Sequence, residues 1–342
     1  IDKNYEKWGL NSSVYWRRGQ DMYEYIRNKP EIYRNMHIGN NLGAELNGSY
    51  RSDLGTTGLG LELRKEFLAS NNLGNRERFV TQVFFEHHFS FFQNSLNVSP
   101  GISWANYDKE GNFFYPGLDL GFDFSEHHKI YGNITKVNRI PTFTDLYYVS
   151  KTEAGNPNLK PENAMSAEIG YRFQKQSFLG KISGFLRDSD NSIDWSKQNA
   201  NDIWRAENIG KIKTKGVEVE LAQHFNSFLK SYSVGYTFLE SNYEQPTGLL
   251  SRYVMENLKH QLVAKLEVFF LKKFTNQLIY RYNERVSTGS YQIFDEKLSY
   301  DAKNYNIYIM VNNILNTDYT ETFGVPMPGR WFHVGVSFKT GF

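Results

Sequence analysis

The sequence predicts an all-β chain that crosses a membrane as an antiparallel β-barrel, and three observations carry that reading. The final stretch, 330–342, alternates strictly: Phe332, Val334, Val336, Phe338, Thr340 and Phe342 form one face, and His333, Gly335, Ser337, Lys339 and Gly341 the other. A period of two is a strand with one greasy and one polar side. Aromatic residues make up 16% of the 342 residues, yet the mean hydropathy is negative. That combination suits a wall that places apolar groups at alternate positions only. Finally, the connections between alternating segments are short and long by turns, which a soluble sandwich has no reason to arrange.

Composition narrows the function classes. The formal charge of +2 is too balanced for a nucleic-acid binder, and the absence of cysteine excludes disulfides and thiolate metal sites. No apolar run approaches the ~20 residues of a membrane helix, so any crossing is made by strands. Ile1 is not an initiator residue, and the chain is expected to be processed or truncated.

Alternation recurs along the whole length. Leu42, Ala44, Leu46, Gly48 and Tyr50 oppose Gly43, Glu45, Asn47 and Ser49; Leu59, Leu61 and Leu63 oppose Gly60, Glu62 and Arg64. Leu96, Val98, Ile102 and Trp104 share one face, as do Leu118, Leu120, Phe122 and Phe124. Met165, Ala167, Ile169, Tyr171 and Phe173 oppose Ser166, Glu168, Gly170 and Arg172. Val217, Val219, Leu221 and Phe225 oppose Glu218, Glu220 and His224. Tyr232, Val234, Tyr236 and Phe238 form one face of a further strand, and Tyr305, Ile307, Ile309 and Val311 of another. Segments 178–188 and 260–270 are less clean, with apolar residues on both faces. Charged members such as Glu168, Arg172, Glu218 and Glu220 are costly against lipid, which fixes them inward, where they hydrate a lumen or contact a plug, the alternative being a substrate path.

The count is roughly sixteen strands, and since a spanning strand needs only ~9–11 residues, much of the chain is expected outside the bilayer. Short turns are expected near Lys303, Lys272, 225–230, 175–177, 125–128 and 92–95. Longer connections are expected at 314–330, 283–290, 240–258, 188–205, 138–162 and 107–113. Short turns on one rim and long loops on the other form the outer-membrane pattern.

Five motifs shape the connections. Asn138-Arg139-Ile140-Pro141-Thr142-Phe143-Thr144-Asp145-Leu146-Tyr147-Tyr148 leads to Gly155-Asn156-Pro157-Asn158-Leu159-Lys160-Pro161-Glu162. Asn208-Ile209-Gly210 precedes Thr214-Lys215-Gly216-Val217-Glu218; Val311-Asn312-Asn313-Ile314-Leu315-Asn316-Thr317-Asp318-Tyr319 precedes Pro328-Gly329-Arg330. The prolines and glycines fix bends, Pro161 belongs at a strand start, and Asn312, Asn313 and Asn316 can cap turns. In this order the motifs resemble those of TonB-dependent outer-membrane receptors, across essentially the whole chain. Trp16-Arg17-Arg18 with Asp21, and Asn35-Met36-His37, are similar to the subgroup assigned to vitamin B12 uptake.

The resemblance implies a Gram-negative outer-membrane barrel of about 22 strands closed by an N-terminal plug. It implies energy-coupled uptake of a large scarce solute of the cobalamin, siderophore or haem type, drawn in by the TonB complex. This chain holds about six strands too few for that barrel and lacks a plug and a TonB-gripping segment, so residues 1–342 read as the C-terminal part of such a barrel. The expected partners are outer-membrane lipid, the receptor's own plug, TonB through the missing N-terminal part, and the solute; no nucleic acid is expected. Two alternatives are a passive sixteen-stranded porin-like pore and a structural or adhesive surface barrel.

The chemistry-bearing candidates lie in long loops. Tyr147 and Tyr148 stand in one; Trp195, Trp204 and Arg205 in a second; Tyr243, Arg252 and Tyr253 in a third. Tyrosine and tryptophan give contact area with a polar handle, and arginine reads anionic groups, so this set suits a flat, partly charged ligand. The same residues also suit loop packing. The pairs His87-His88 and His127-His128 fall near short turns and read as surface histidines, since strand neighbours face opposite ways. With no Gly-x-Ser-x-Gly elbow, phosphate loop or zinc helix, neither an enzyme nor a bound cofactor or metal is expected.

Overall fold

The computed structural model describes residues 2–244, 248–252, 258–271, 273–286, 288–322 and 325–338. Lys272, Tyr253 and the last four residues, with Thr340 and Phe342 of the greasy face, lie outside the described residues.

In chain order the first strands are β1 (Asp2–Asn4), β2 (Trp8–Glu24), β3 (Arg34–Ser52), β4 (Gly55–Ser70), β5 (Arg76–Phe91), β6 (Leu96–Tyr107), β7 (Gly111–Ser125) and β8 (His128–Arg139). A short helix, α1 (Phe143–Tyr147), precedes β9 (Glu153–Ala154), β10 (Glu162–Lys175), β11 (Phe178–Asp190), β12 (Ile193–Lys197), β13 (Trp204–Asn208) and β14 (Lys211–His224). Then come β15 (Leu229–Glu244), β16 (Leu250–Ser251), β17 (Leu258–Phe270), β18 (Phe274–Arg285), β19 (Gly289–Asp301), β20 (Tyr305–Asn312), β21 (Thr320–Thr322), β22 (Val325–Pro326) and β23 (Trp331–Phe338).

Seventeen strands form one sheet; setting aside the three-residue β1 leaves sixteen wall strands, the number the alternation predicts. Every pairing in it is antiparallel, and each wall strand pairs with the next, from β2 through β8, β10, β11, β14, β15 and β17 to β20 and β23. Among the described residues β23 pairs with β20 alone, and the far edge of β2 carries only β1. Of the remaining strands, β16, β12, β13 and β9 make a separate four-stranded sheet, and β21 and β22 a two-stranded one.

The two faces divide as the register requires. Phe332, Val334, Val336 and Phe338 are exposed on one side, with Ile307, Ile309, Leu59, Leu61, Leu63, Ile169, Leu186 and Val217. Such an apolar belt is solvated by lipid, so this face is the outside. At one rim the outward aromatics touch in series: Phe124 with His128 and Tyr171, His128 with Phe173, Phe173 with Phe178, then Phe270 with Phe274, Phe274 with Tyr300, and Tyr300 with Tyr305. This is an interfacial girdle, amphipathic rings at headgroup depth. His128 belongs to it, its Nδ1 2.6 Å from the Tyr171 hydroxyl. His87 bonds Thr57 and His88 bonds Ser99, and the pair points to opposite faces.

The inner face is less purely polar than the alternation suggests. Tyr15, Phe84, Tyr131, Phe185 and Tyr308 each stand directly across the ladder from a glycine: Gly43, Gly60, Gly170, Gly216 and Gly335. A methyl group on any of these glycines would strike the ring opposite, so the missing side chain is what lets each ring lie flat on the wall. Phe185 explains why 178–188 carries apolar residues on both faces.

The girdled rim has tight connections, at 53–54, 92–95, 126–127, 176–177 and 302–304. The other rim carries the larger ones, 25–33, 140–161, 191–210 and 313–330. Two expectations need correction. The connections at 107–113 and 283–290 are tight turns, because β6 continues to Tyr107 and β7 restarts at Gly111, while β18 runs to Arg285 and β19 starts at Gly289. The surplus length sits in the strands too: β3 has 19 residues, well beyond the ~9–11 that span a bilayer.

Candidate ligand-facing mouth

The segment 140–161 is a folded unit more than a loop. Thr142 caps α1, accepting from the Asp145 amide while the Asp145 carboxylate accepts from the Thr142 amide, a reciprocal capping box. The chain returns against the helix at Gly155, where a Cβ would lie 2.9 Å from the Asp145 carbonyl oxygen; only glycine fits. The Glu162 carboxylate, at the start of β10 as Pro161 requires, takes Arg139 Nε and Nη2 at 2.7 Å each. This two-point pairing is stronger and more directional than a single bond. The same carboxylate accepts from the Ile193 amide, which ties in the β12–β13 hairpin.

Asn208 completes the tie. Its side chain accepts from the Lys160 amide at 2.9 Å, and donates to the Lys160 carbonyl at 2.9 Å and the Asn191 carbonyl at 2.7 Å. Leu146, Leu159, Ile193, Trp195 and Ala206 then pack into a small buried core, with Tyr147, Tyr148 and Trp204 against it. The motif residues of the first three segments are thus mostly engaged with one another.

This unit leans inward over the wall. Arg78, on the inner face of β5 and 7% exposed, donates to the Pro141 carbonyl at 2.9 Å and to Glu110 at 2.7 Å. The Arg76 guanidinium lies 3.7 Å from the Tyr147 ring centre. Asn72 donates to the Val149 carbonyl at 2.7 Å, and the Tyr148 hydroxyl lies 3.3 Å from that of Tyr33. Burial and the Tyr33 bond push the Tyr148 phenol up to about 12, so it stays neutral. Contacts from β8–β10 back to β3–β5 require the unit to reach across the concave face.

The outer surface of the unit is cationic and aromatic. Lys197 Nζ lies 4.7 Å, and the Arg252 guanidinium 4.9 Å, from the Trp204 ring centre. Both Arg252 terminal nitrogens lie 3.1 Å from Glu153 Oε1. Burial pushes the Glu153 carboxyl up, but bonds from Ser150 and Arg252 outweigh it and hold the group below the usual range. Arg205, the next residue of β13, is exposed and faces the opposite side of the strand from Trp204.

Six of the eight predicted residues therefore meet in one unit: Tyr147, Tyr148, Trp195, Trp204, Arg205 and Arg252. Trp195 is its core, 8% exposed, with the Tyr148 ring edge-on at 6.2 Å. Tyr243 is the penultimate residue of β15, paired with Ile212 in the wall, and so belongs to a strand where a loop was expected. Tyr253 lies outside the described residues.

Sequence reasoning missed Arg76, Arg78, Tyr33 and Asn72, which belong to no motif. The long connection expected at 314–330 is present between β20 and β23, but its inward fold was not foreseen. There the Asn313 amide donates to Asp295 at 2.8 Å, Asp295 accepts from Arg281 at 2.7 Å, and Tyr319 stacks on Tyr291 at 4.7 Å. Asn313 and Asn316 hold its backbone as expected; Asn312 does not, its buried carbonyl oxygen having no partner. Among the described residues no three His, Asp or Glu side chains gather as a metal site.

An apolar-belted antiparallel wall with an aromatic girdle, tight turns at one rim and folded loops at the other is an outer-membrane β-barrel wall. A profile described as TonB dependent receptor-like, beta-barrel matches residues 2–314, and the chain belongs to that family. It is 24% identical over 255 residues to a vitamin B12 transporter, BtuB, of Vibrio vulnificus, a match covering 73% of this chain and 40% of that protein. It is 21% identical over 244 residues to a probable TonB-dependent siderophore receptor, PirA, of Acinetobacter baumannii, covering 60% and 32%. Among solved structures, the ferric enterobactin receptor PfeA of Pseudomonas aeruginosa superposes with a TM-score of 0.79 at 17% identity, covering 98% of this chain and 60% of that one. The copper transporter OprC superposes at 0.80 and 13% identity, covering 96% and 62%. The matches span less than two thirds of each relative.

Proposed function

We propose that this chain is the C-terminal part of the barrel of an energy-coupled outer-membrane receptor, which takes up a large scarce solute of the cobalamin, ferric siderophore or haem class. In this reading a plug fills the lumen and the TonB complex acts through the N-terminal part of the receptor. The single observation that carries it is the inward-leaning unit at the mouth, which sets the Lys197 and Arg252 cations against the Trp204 ring. A passive pore has no use for a stacked cation–tryptophan platform at its entrance. Such a platform gives a flat ligand a ring to stack on and gives its carboxylates or phosphates a guanidinium. Trp195 supports the platform from below, and Tyr147 and Tyr148 fix its lean. The role is recognition and transport, with no catalytic step.

The test is equilibrium binding of the full-length receptor to cyanocobalamin, haemin and ferric enterobactin. One of the three is expected to bind, and Trp204→Ala or Arg252→Ala to weaken it at least tenfold, about 1.4 kcal/mol. No binding to any of them, or unchanged affinity in both variants, overturns the reading.

A further inference from the structure

The apolar surface of the wall does not stop at the girdle. Among the described residues, eight large hydrophobic side chains are more than 70% exposed. Val14, Val334 and Phe338 lie on β2 and β23, the two edges of the ladder. The other five, Tyr5, Leu54, Phe92, Phe228 and Leu271, all stand in tight connections of the girdled rim. None of the eight is on the looped rim.

Each of the five adjoins rings at the foot of the wall. The Tyr5 amide donates to the Trp8 carbonyl at 2.7 Å, and the Trp8 ring lies 4.4 Å from that of Tyr50. The Leu54 carbonyl lies 3.3 Å from His87 Nε2, and the His87 ring lies 4.0 Å from Phe89. Phe89 stacks on Phe91 at 6.0 Å, and Phe92 is the next residue. Farther round, the Phe228 carbonyl accepts from the Phe269 amide at 2.7 Å. Leu271 follows Phe270, whose ring stacks on Phe274 at 5.5 Å.

Two of the five are also held in a backbone conformation that suits neither. Phe92 has a φ of 53° and Leu271 a φ of 48°. Bulky residues rarely adopt this left-handed region, where glycine or asparagine sits easily. A tip whose only task was to turn the chain would carry one of those, as Asn94 does in the same turn as Phe92, with a φ of 70°. Strain kept at a displayed apolar side chain is offset only where that side chain gains a contact.

We propose that this rim is embedded in the periplasmic leaflet of the outer membrane, its tight turns among the phospholipid headgroups and these five side chains at the acyl boundary. The occupant is phospholipid because the tips continue, through the girdle, a belt that lipid already covers. They also run from the first tight turn of the rim to the last but one, an arc that a leaflet meets all round and a docked protein meets at one place. Apolar groups gain by leaving water for that boundary in proportion to their area. The proposal rests on the outer-membrane wall and not on the solute that the receptor carries.

The test uses the full-length receptor, free of other cysteines, in vesicles of phosphatidylethanolamine and phosphatidylglycerol. A nitrobenzoxadiazole fluorophore is attached at Phe92→Cys, at Leu271→Cys, or at Glu126→Cys in a polar-tipped turn of the same rim. Nitroxide-labelled lipid is expected to quench the first two at least about threefold more strongly than the third. Lipid quenching no stronger than at Glu126→Cys overturns the proposal, whether iodide reaches the two sites, as in open water, or is excluded, as beneath a docked protein. A second measurement turns on a sign. Phe92→Asn and Leu271→Asn relieve the left-handed backbone, so tips that face only water are stabilised by them. Tips seated in lipid lose more than they gain, and both variants are expected to lower the urea midpoint of unfolding from the same vesicles. A raised or unchanged midpoint in either variant overturns the proposal.

Discussion

At the scale of single residues the mouth unit is held by a few polar contacts whose chemistry fixes how it responds to acid. Glu153 binds Arg252, which flanks Trp204. Its carboxyl titrates below the usual range in the folded unit, so the contact stabilises at neutral pH and is lost as pH falls through the folded value. The expected outcome is a change in Trp204 emission, taken as the difference from Trp204→Phe, at a pH lower than that at which a free glutamate titrates. In Arg252→Ala the midpoint moves up. A transition at the free-glutamate value in the unaltered protein removes Arg252 as the cause. The sequence disclosed Trp204, Arg205 and Arg252 as loop cations and aromatics, but it did not separate surface from core. From Ile193 to Ser196 the strand is buried on both sides, so alternation carries no information there, and Trp195 looks like its neighbour Trp204. Arg76 and Arg78 were illegible for another reason. Both read as ordinary inner-face charges until a loop from the far side of the wall comes to rest on them.

At the scale of the strand, alternation placed Phe332 to Phe338 and Leu59 to Leu63 on the correct face, because one side of each is lipid and a one-residue slip would reverse it. Its exceptions are informative. Glu296 lies on the outward face of β19 between Phe294 and Leu298, opposite Val311 on one side and Leu278 on the other. Phe294, Leu298 and Leu278 are exposed around it, so a carboxylate stands within the lipid belt. Asn276 donates to it at 2.6 Å and is the partner that makes the position tolerable. Replacing it by leucine is expected to stabilise the full-length barrel in bilayers by about 1–2 kcal/mol in urea unfolding, because charge on the lipid face is costly even for acids. Asn276→Ala is expected to destabilise, since it leaves the carboxylate without its donor. Loss of stability in Glu296→Leu would show that this face meets something other than lipid.

At the scale of the whole molecule the decisive feature is the pair of edges. Backbone amides and carbonyls that face hydrocarbon must be paired, so a spanning sheet has to close. Here β2 and β23 end the ladder without meeting among the described residues. Sixteen strands can close a barrel in principle, which is why the passive pore was a fair alternative from strand number alone. The edges favour further strands between β2 and β23, in keeping with structural relatives of which this chain covers about 60%. The 342-residue chain, refolded by itself into detergent micelles, is therefore expected to give mixed oligomers, each sheet pairing its edges with another copy. The full-length receptor is expected to give a single monomer whose mobility on gels shifts on heating. The cross-strand disulfide yield between one cysteine on β2 and one on β23 reads the same question within a single molecule. It is expected to be negligible in the full-length protein, where intervening strands separate the two edges. A heat-shifted monomer of the 342-residue chain, with efficient β2–β23 crosslinking, would mean that these sixteen strands close on themselves, and the pore would replace the receptor.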